Sequence, residues 1–114
     1  MKPIFQDVWG KLPVFVYETN EEMGKAAAYE ARQIINQAIQ TNGFANIIIA
    51  TGNSQLSFLK VLRDLDNIDW GKVNVFHMDE YVGLPAGHTA SFPYFLKIHF
   101  LDYIGKVNKF YPVP

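Results

Sequence analysis

The chain has 114 residues, a length that suits one domain. Hydrophobic residues make up 49% of it and aromatic residues 15%, which is typical of a chain that buries a core and excludes a disordered one. The 10 basic and 11 acidic residues leave no basic surplus for nucleic acid. The chain contains no cysteine, which excludes disulfides, thiolate metal ligands and cysteine nucleophiles.

The apolar runs are too short to span a bilayer, and residues Met1–Asp7 lack the apolar centre of a signal peptide. A cytoplasmic location is therefore expected, with neither a membrane nor a nucleic acid as partner. The sequence stops at Phe110–Pro114, where another element would be expected to begin. The chain is accordingly interpreted as a truncation or a fragment.

The first half of the chain predicts two strands with a helix between them. Leu12–Tyr17 is short, apolar and β-prone, which favours a strand. A helix is expected to begin at Thr19 or Asn20, which are good N-caps, and to end near Gly43, which can take the left-handed cap conformation. The β-branched run Asn46–Ala50 then predicts a strand that is covered on both faces.

The second half continues the alternation. A helix is predicted over Gln55–Leu65, a strand over Val73–His77, a loop over Met78–His88, and a helix over Ala90–Tyr103, with Pro93 in its first turn. Alternating strands and helices indicate an α/β fold with an open, mainly parallel sheet flanked by helices. Ligands of such sheets bind beyond the carboxyl ends of the strands, so the loops that leave those ends are the candidate site.

The first of these loops is Thr51–Ser54. Gly52 allows the backbone to approach a ligand closely, and the free N–H groups at the start of the next helix favour an anion. Thr51 and Ser54 add hydroxyl donors, so the pattern suits a phosphomonoester. Its spacing is not that of a Walker loop or a dinucleotide fingerprint. A purely structural alternative, in which Gly52 makes a turn and Ser54 caps a helix, stays open at this point.

The second loop begins with two adjacent carboxylates, Asp79 and Glu80. Side chains alternate in an extended segment, so these two are expected to point to different sides, one toward the ligand crevice and one toward the loop. A carboxylate at a strand end can serve as a general base. From the spacing alone, a solvated turn is the favoured alternative.

The three histidines have no metal-ligand spacing, and no metal is expected. His77 is predicted to lie in a strand as a hydrogen-bonded structural residue. His88, near Ser91, is expected to lie close to the site, and His99 is given no role.

Three segments carry a resemblance to a known family. Phe76–Pro85 closely resembles the Met-Asp-Glu-Tyr-Val-Gly-Leu signature of the glucosamine-6-phosphate deaminases (isomerases). His88–Phe92 resembles that family's His-Pro-x-Ser-Tyr stretch, and Thr51–Ser54 resembles its phosphate loop. The resemblance runs from about Val14 onward, and its acidic segment is the most specific part. It implies that residues 1–114 are the N-terminal part of a single domain of this family.

The resemblance implies a Rossmann-like fold shared with 6-phosphogluconolactonases. It implies conversion of glucosamine 6-phosphate and water into fructose 6-phosphate and ammonia, without an organic cofactor, by a protein that forms homo-oligomers at full length. Asp79 would be the proton acceptor and Glu80 a supporting residue. The substrate phosphate would be held by Thr51, Gly52, Asn53 and Ser54.

Several positions depart from the family pattern, namely Asn53, Ser54, Gln55, His77, Thr89 and Phe92. These departures leave the exact sugar phosphate open. One alternative is a 6-phosphogluconolactonase-like hydrolase, although that group carries arginine where this chain has Tyr81. Another is a non-catalytic sugar-phosphate sensor. The family's ring-opening histidine and basic phosphate ligands come later in its chain, so this chain alone is expected to be inactive.

Overall fold

Two sheets of different kinds form in the computed structural model, which describes residues 2–80, 82–83, 88 and 91–113. The first is an antiparallel hairpin of β1 (Phe5–Trp9) and β2 (Leu12–Val16). Gly10 turns it with φ +65°, a conformation that glycine adopts without strain. The strand predicted at Leu12–Tyr17 is thereby confirmed. Strand β1 is an additional strand that was not predicted from the sequence.

Helix α1 (Asn20–Asn42) is closed at both ends as its sequence predicts. At the start, the Thr19 hydroxyl accepts a hydrogen bond from the Glu22 N–H at 3.1 Å. At the end, Gly43 takes φ +85°, and its N–H donates to the Ile39 carbonyl at 2.8 Å. Both caps satisfy backbone groups that the helix cannot pair internally, so the predicted bounds are confirmed.

The second sheet is parallel and has the order β3 (Ala45–Ile49), β4 (Val73–His77), β5 (Lys109–Tyr111). A 3₁₀ turn at Asn53–Gln55 and helix α2 (Leu56–Asp64) connect β3 to β4. Strands joined through helices and paired in parallel are the mark of the α/β class. The predicted fold class is confirmed.

A broken helix connects β4 to β5. It starts as α3 (Phe92–Leu96), passes through a π-helical segment (Lys97–Leu101) and ends as α4 (Asp102–Ile104). The predicted helix is confirmed over its described residues, with Pro93 in the first turn, whereas no sequence pattern predicted the π-helical segment.

The hydrophobic core lies between the helices and one face of the parallel sheet. Alternate side chains of β3 and β4 point into it because successive side chains of a strand project to opposite faces. Its buried members are Ala28, Ile35, Ala45, Ile49, Leu59, Leu62, Trp70, Val73, Val75, Leu96 and Phe100. No helix of the described residues is long and apolar enough to cross a membrane.

The other face of the sheet is uncovered among the described residues. Ile48 is 66% exposed there, so the prediction that this strand is covered on both faces is wrong for the described structure. The asparagines of this face form a ladder, in which Asn74 donates to Asn46 at 2.9 Å and Asn108 donates to Asn74 at 2.7 Å. Side-chain hydrogen bonds therefore run from β3 across β4 to the residue that precedes β5.

Candidate functional site

The two candidate loops leave the same edge of the parallel sheet. Ile49 and His77, the last residues of β3 and β4, are paired in the parallel register. One residue further, the Met78 N–H donates to the Ile49 carbonyl at 3.2 Å and extends the pairing beyond both strands. The structure thus brings together the start of the Thr51–Ser54 loop and the start of the acidic segment, as the parallel topology predicts.

The Thr51–Ser54 loop is shaped by one glycine. Gly52 has φ +117° and ψ 169°, a region that is essentially restricted to glycine. A Cβ placed on Gly52 would meet no atom within 4 Å, so the space in front of it is open. The backbone, and not a neighbouring side chain, therefore requires glycine here.

A 3₁₀ turn follows this glycine, and the Gln55 N–H donates to the Gly52 carbonyl at 3.0 Å. Asn53 and Ser54 are exposed and begin the turn, where N–H groups have no partner within the helix. Ser54 does not cap α2, because the residue at that cap is Gln55 and makes no side-chain cap bond. The alternative in which Ser54 is a helix cap is therefore wrong.

Thr51 contributes a hydroxyl that has no hydrogen-bond partner among the described residues, although its Oγ1 atom is buried. A buried polar atom without a partner costs about 1–3 kcal/mol, so such atoms are rare. Next to this hydroxyl, the open backbone of Gly52 and the exposed Ser54 offer neutral donors that can hold an anion through hydrogen bonds.

The acidic segment Met78–Glu80 holds its two carboxylates differently. Glu80 is half-buried, and its Oε1 and Oε2 atoms accept from the Phe92 N–H at 3.2 and 3.1 Å. A carboxylate at this position stabilises the start of α3, where the helix dipole is positive. Asp79 is exposed. The arrangement fits the prediction that one carboxylate anchors the loop while the other stays available.

Ser91 and His88 surround the start of α3. Ser91 is 1% exposed, and its hydroxyl accepts from the Tyr94 N–H at 3.2 Å, which makes it the N-cap. Its own N–H donates to the His88 carbonyl at 3.0 Å, and His88 is exposed. The cap role of Ser91 was missed, although a serine two residues before Pro93 is a known signal for a helix start.

His77 is 6% exposed, and neither ring nitrogen has a hydrogen-bond partner in the part of the chain that the structure describes. For those residues, the prediction of a hydrogen-bonded histidine is wrong. The physical reason is the aromatic surroundings, with Phe92 and Phe110 ring centroids at 6.0 and 5.8 Å. Burial lowers the pKa of His77 below its usual value of 6.5, while the charges of Glu80 and Asp79 act in the opposite direction.

Part of the predicted loop and of the segments that carry the family resemblance lies outside the described residues, namely Tyr81, residues 84–87, Thr89 and Ala90. Among the residues that are described, no group of three or more histidine, aspartate or glutamate side chains is placed to hold a metal ion.

Residues 18–114 match the family model of the glucosamine-6-phosphate isomerases/6-phosphogluconolactonase. The chain belongs to this family. A glucosamine-6-phosphate deaminase of Clostridium perfringens (strain SM101 / Type A) is 34% identical over 104 residues, which are 87% of this chain and 41% of that protein. The deaminase of Caenorhabditis elegans is 34% identical over 90 residues, or 74% of this chain and 34% of that protein.

Solved structures of the family share the fold. A putative 6-phosphogluconolactonase from Neisseria gonorrhoeae FA 1090 superposes with a TM-score of 0.72 at 20% identity, over 86% of this chain and 41% of that one. A monomeric glucosamine-6-phosphate deaminase gives 0.71 at 20% identity, over 82% and 39%. The chain thus spans about two fifths of the length of the relatives it matches.

Proposed function

We propose that this chain supplies the phosphate-binding loop and the proton acceptor of a glucosamine-6-phosphate deaminase. The proposal rests on one observation. The hydrogen bond from the Met78 N–H to the Ile49 carbonyl joins the two strand ends from which the Thr51–Ser54 loop, here called the glycine loop, and the acidic segment leave the sheet. Deaminase relatives at 34% identity support the substrate class.

The site residues then divide the work. The N–H groups after Gly52 and the hydroxyls of Thr51 and Ser54 hold the sugar phosphate, which places the other end of the open-chain sugar over the acidic segment. Asp79 takes the proton from C2 and returns it at C1, while the C2 amine gives up a proton and the C1 oxygen gains one. The C1 aldehyde thereby becomes an alcohol and the C2 amine an imine. Water hydrolyses that imine to fructose 6-phosphate and ammonia. Glu80 does not exchange protons, because both of its oxygens already bind the start of α3.

A 6-phosphogluconolactonase-like activity is the second candidate, since a structure of that name has the same fold. The fold does not separate the two, because a deaminase superposes equally well. The Asp79-Glu80-Tyr81 sequence favours the deaminase. A sugar-phosphate sensor remains the non-catalytic alternative, and the measurement of turnover described below separates it from both enzymes.

Ligand binding is tested on the chain as it stands. Titration with glucosamine 6-phosphate, 6-phosphogluconate and inorganic phosphate is followed through the backbone amide resonances of Gly52, Asn53 and Ser54. All three ligands are expected to shift these resonances weakly, because the loop offers no cation for a charge-assisted bond. Glucosamine 6-phosphate alone is expected to shift Asp79 as well. A response of Asp79 to 6-phosphogluconate only would favour the lactonase.

Turnover is tested by ammonia release. We propose that this chain alone is inactive, because opening the sugar ring and neutralising the phosphate need groups beyond those placed here. In a version extended to the length of its relatives, Asp79→Asn is expected to lower the rate about a hundred- to ten-thousand-fold, the usual effect of losing a positioned general base. Equal rates for Asp79→Asn and the parent protein would reject Asp79 as the base. An extended protein that binds the sugar phosphate, releases no ammonia and does not hydrolyse 6-phosphogluconolactone would favour the sensor.

A further inference from the structure

His77 is a buried polar side chain for which the proposed chemistry has no use. Its imidazole carries one N–H donor and one acceptor nitrogen when neutral, and both lie unpartnered in the described structure. Burying such groups without hydrogen bonds is costly, so an unsatisfied buried histidine calls for an explanation. A phenylalanine would fill the same apolar surroundings without that cost.

The ring of His77 connects the end of β4 to the start of α3. It packs edge-on against the Phe92 ring, at 6.0 Å and an interplanar angle of 71°. The backbone N–H of that same Phe92 is the donor to Glu80. Glu80 follows His77 by three residues, so each of His77, Phe92 and Glu80 is linked to the other two, through ring packing, a hydrogen bond or the chain itself. Asp79 lies in the segment of chain between His77 and Glu80.

We propose that His77 is a positioning residue for the acidic segment. While its ring is neutral, the Glu80 carboxylate stays on the Phe92 N–H and Asp79 stays exposed; a proton on the ring draws Glu80 away from that bond. His77 would thereby set the lower limit of the pH range in which Asp79 stays in position to act as the base. The proposal rests on the proposed function only for the role of Asp79.

The charges around the ring fit this role. Glu80 and then Asp79 are the charged groups that raise the pKa of His77 against the effect of burial. The side chains packed on the ring from α3 and β5 are Phe92 and Phe110, which do not ionise. Lys109 and Tyr111 flank Phe110, and strand alternation directs them to the opposite side. A proton on His77 therefore has the two acidic residues as its partners among the described residues.

The first experiment follows the Phe92 amide and the Asp79 and Glu80 carboxyl carbons by NMR between pH 7.5 and about 5, a range that brackets the ordinary histidine pKa. In the parent chain, all three are expected to show an inflection at the pH where His77 titrates, and Phe92 hydrogen exchange is expected to become about tenfold faster below it. In His77→Phe, which keeps an aromatic ring in place, that inflection should vanish. Identical inflections in both proteins would overturn the proposal.

The second experiment uses the reciprocity of the coupling. The pKa of His77 is expected to fall in Glu80→Gln and in Asp79→Asn, with the larger fall in Glu80→Gln, because each variant removes a charge that favours the imidazolium. Glu30→Gln, on the exposed side of α1, is the matched control and should leave it unchanged. An unchanged His77 pKa in all three variants would overturn the proposal. This test does not depend on whether His77→Phe folds.

Neither experiment needs a sugar phosphate, so failure of the proposed function is seen separately. If Gly52–Ser54 do not respond to glucosamine 6-phosphate while Phe92 follows His77, the function is wrong and the positioning role stands. If the loop responds to glucosamine 6-phosphate and the Phe92 amide does not follow the titration of His77, the proposed function stands and the positioning role is wrong.

Discussion

The glycine loop and the acidic segment leave the same sheet edge but are built on different principles. Gly52 fixes the loop through its backbone conformation, and the residues after it are exposed. The acidic segment is fixed by a side chain, because Glu80 reaches across to the Phe92 N–H. The loop should therefore be sensitive to any Cβ at one position, whereas the acidic segment should be sensitive to charge and pH.

The largest effect is expected from breaking the backbone side of this comparison. Gly52→Val forces a β-branched residue into a glycine-only conformation, which costs about 1–3 kcal/mol. We expect a matching loss of stability in urea denaturation and a loss of the phosphate response at Ser54. Asn53→Ala, in the same exposed loop, is the control and should keep the stability. An unaltered midpoint for Gly52→Val would show that the loop does not depend on this conformation.

The side-chain counterpart should be milder. Glu80→Gln keeps an acceptor for the Phe92 N–H but replaces a charge-assisted bond with a neutral one, a difference of about 1 kcal/mol. Urea denaturation should show this loss at neutral pH, together with faster exchange of the Phe92 amide. Glu30→Gln, exposed on α1, should change neither quantity. If the two variants behaved alike, Glu80 would not be the anchor.

A smaller effect separates stability from binding within the loop. Thr51→Val removes a buried hydroxyl that has no partner in the described structure, so the protein should gain up to about 1 kcal/mol of stability. The same change should weaken phosphate binding if the hydroxyl is a donor to the anion. Thr41→Val, exposed near the end of α1, is the control for the change in side chain. Stronger phosphate binding by Thr51→Val would remove Thr51 from the loop's donors.

The smallest expected effect concerns acid. Because burial lowers the pKa of His77 in the folded chain, the unfolded chain binds more protons below its usual pKa of 6.5, and stability must fall as the pH drops through that window. Glu80 and Asp79 act against the effect of burial and reduce it. Denaturation midpoints of His77→Phe should fall less between pH 7 and pH 5.5 than those of the parent, a range that brackets the reference value of about 6.5. A parent curve that does not differ from that of His77→Phe would contradict the buried neutral ring.

Local signals in the sequence predicted much of this structure. Thr19 and Gly43 mark the ends of α1 through capping, which depends only on neighbouring residues. The β-branched run before Thr51 predicted a strand for the same reason. What it could not predict is which faces find a partner, and Ile48 is exposed.

The candidate site was predictable in its members and not in their contacts. Adjacent carboxylates after a strand allowed an anchor and a base, which the family resemblance then favoured over a solvated turn. The partner of Glu80, however, lies twelve residues on, at the start of α3. His77 was misjudged because its sequence neighbours do not reveal the aromatic rings that come from α3 and β5. The roles of Asp79 and of Thr51–Ser54 remain predictions.

The asparagine ladder of the uncovered sheet face has a consequence for folding. Parallel strands are joined by long connections, so no tight turn fixes how one strand slides along the next. A slip by one residue would carry Asn74 from the solvent face into the core, where its amide would lose the Asn46 and Asn108 partners. The three amides therefore act as alignment marks, and they penalise misaligned sheets that the aliphatic side chains of β3 and β4 would tolerate more readily.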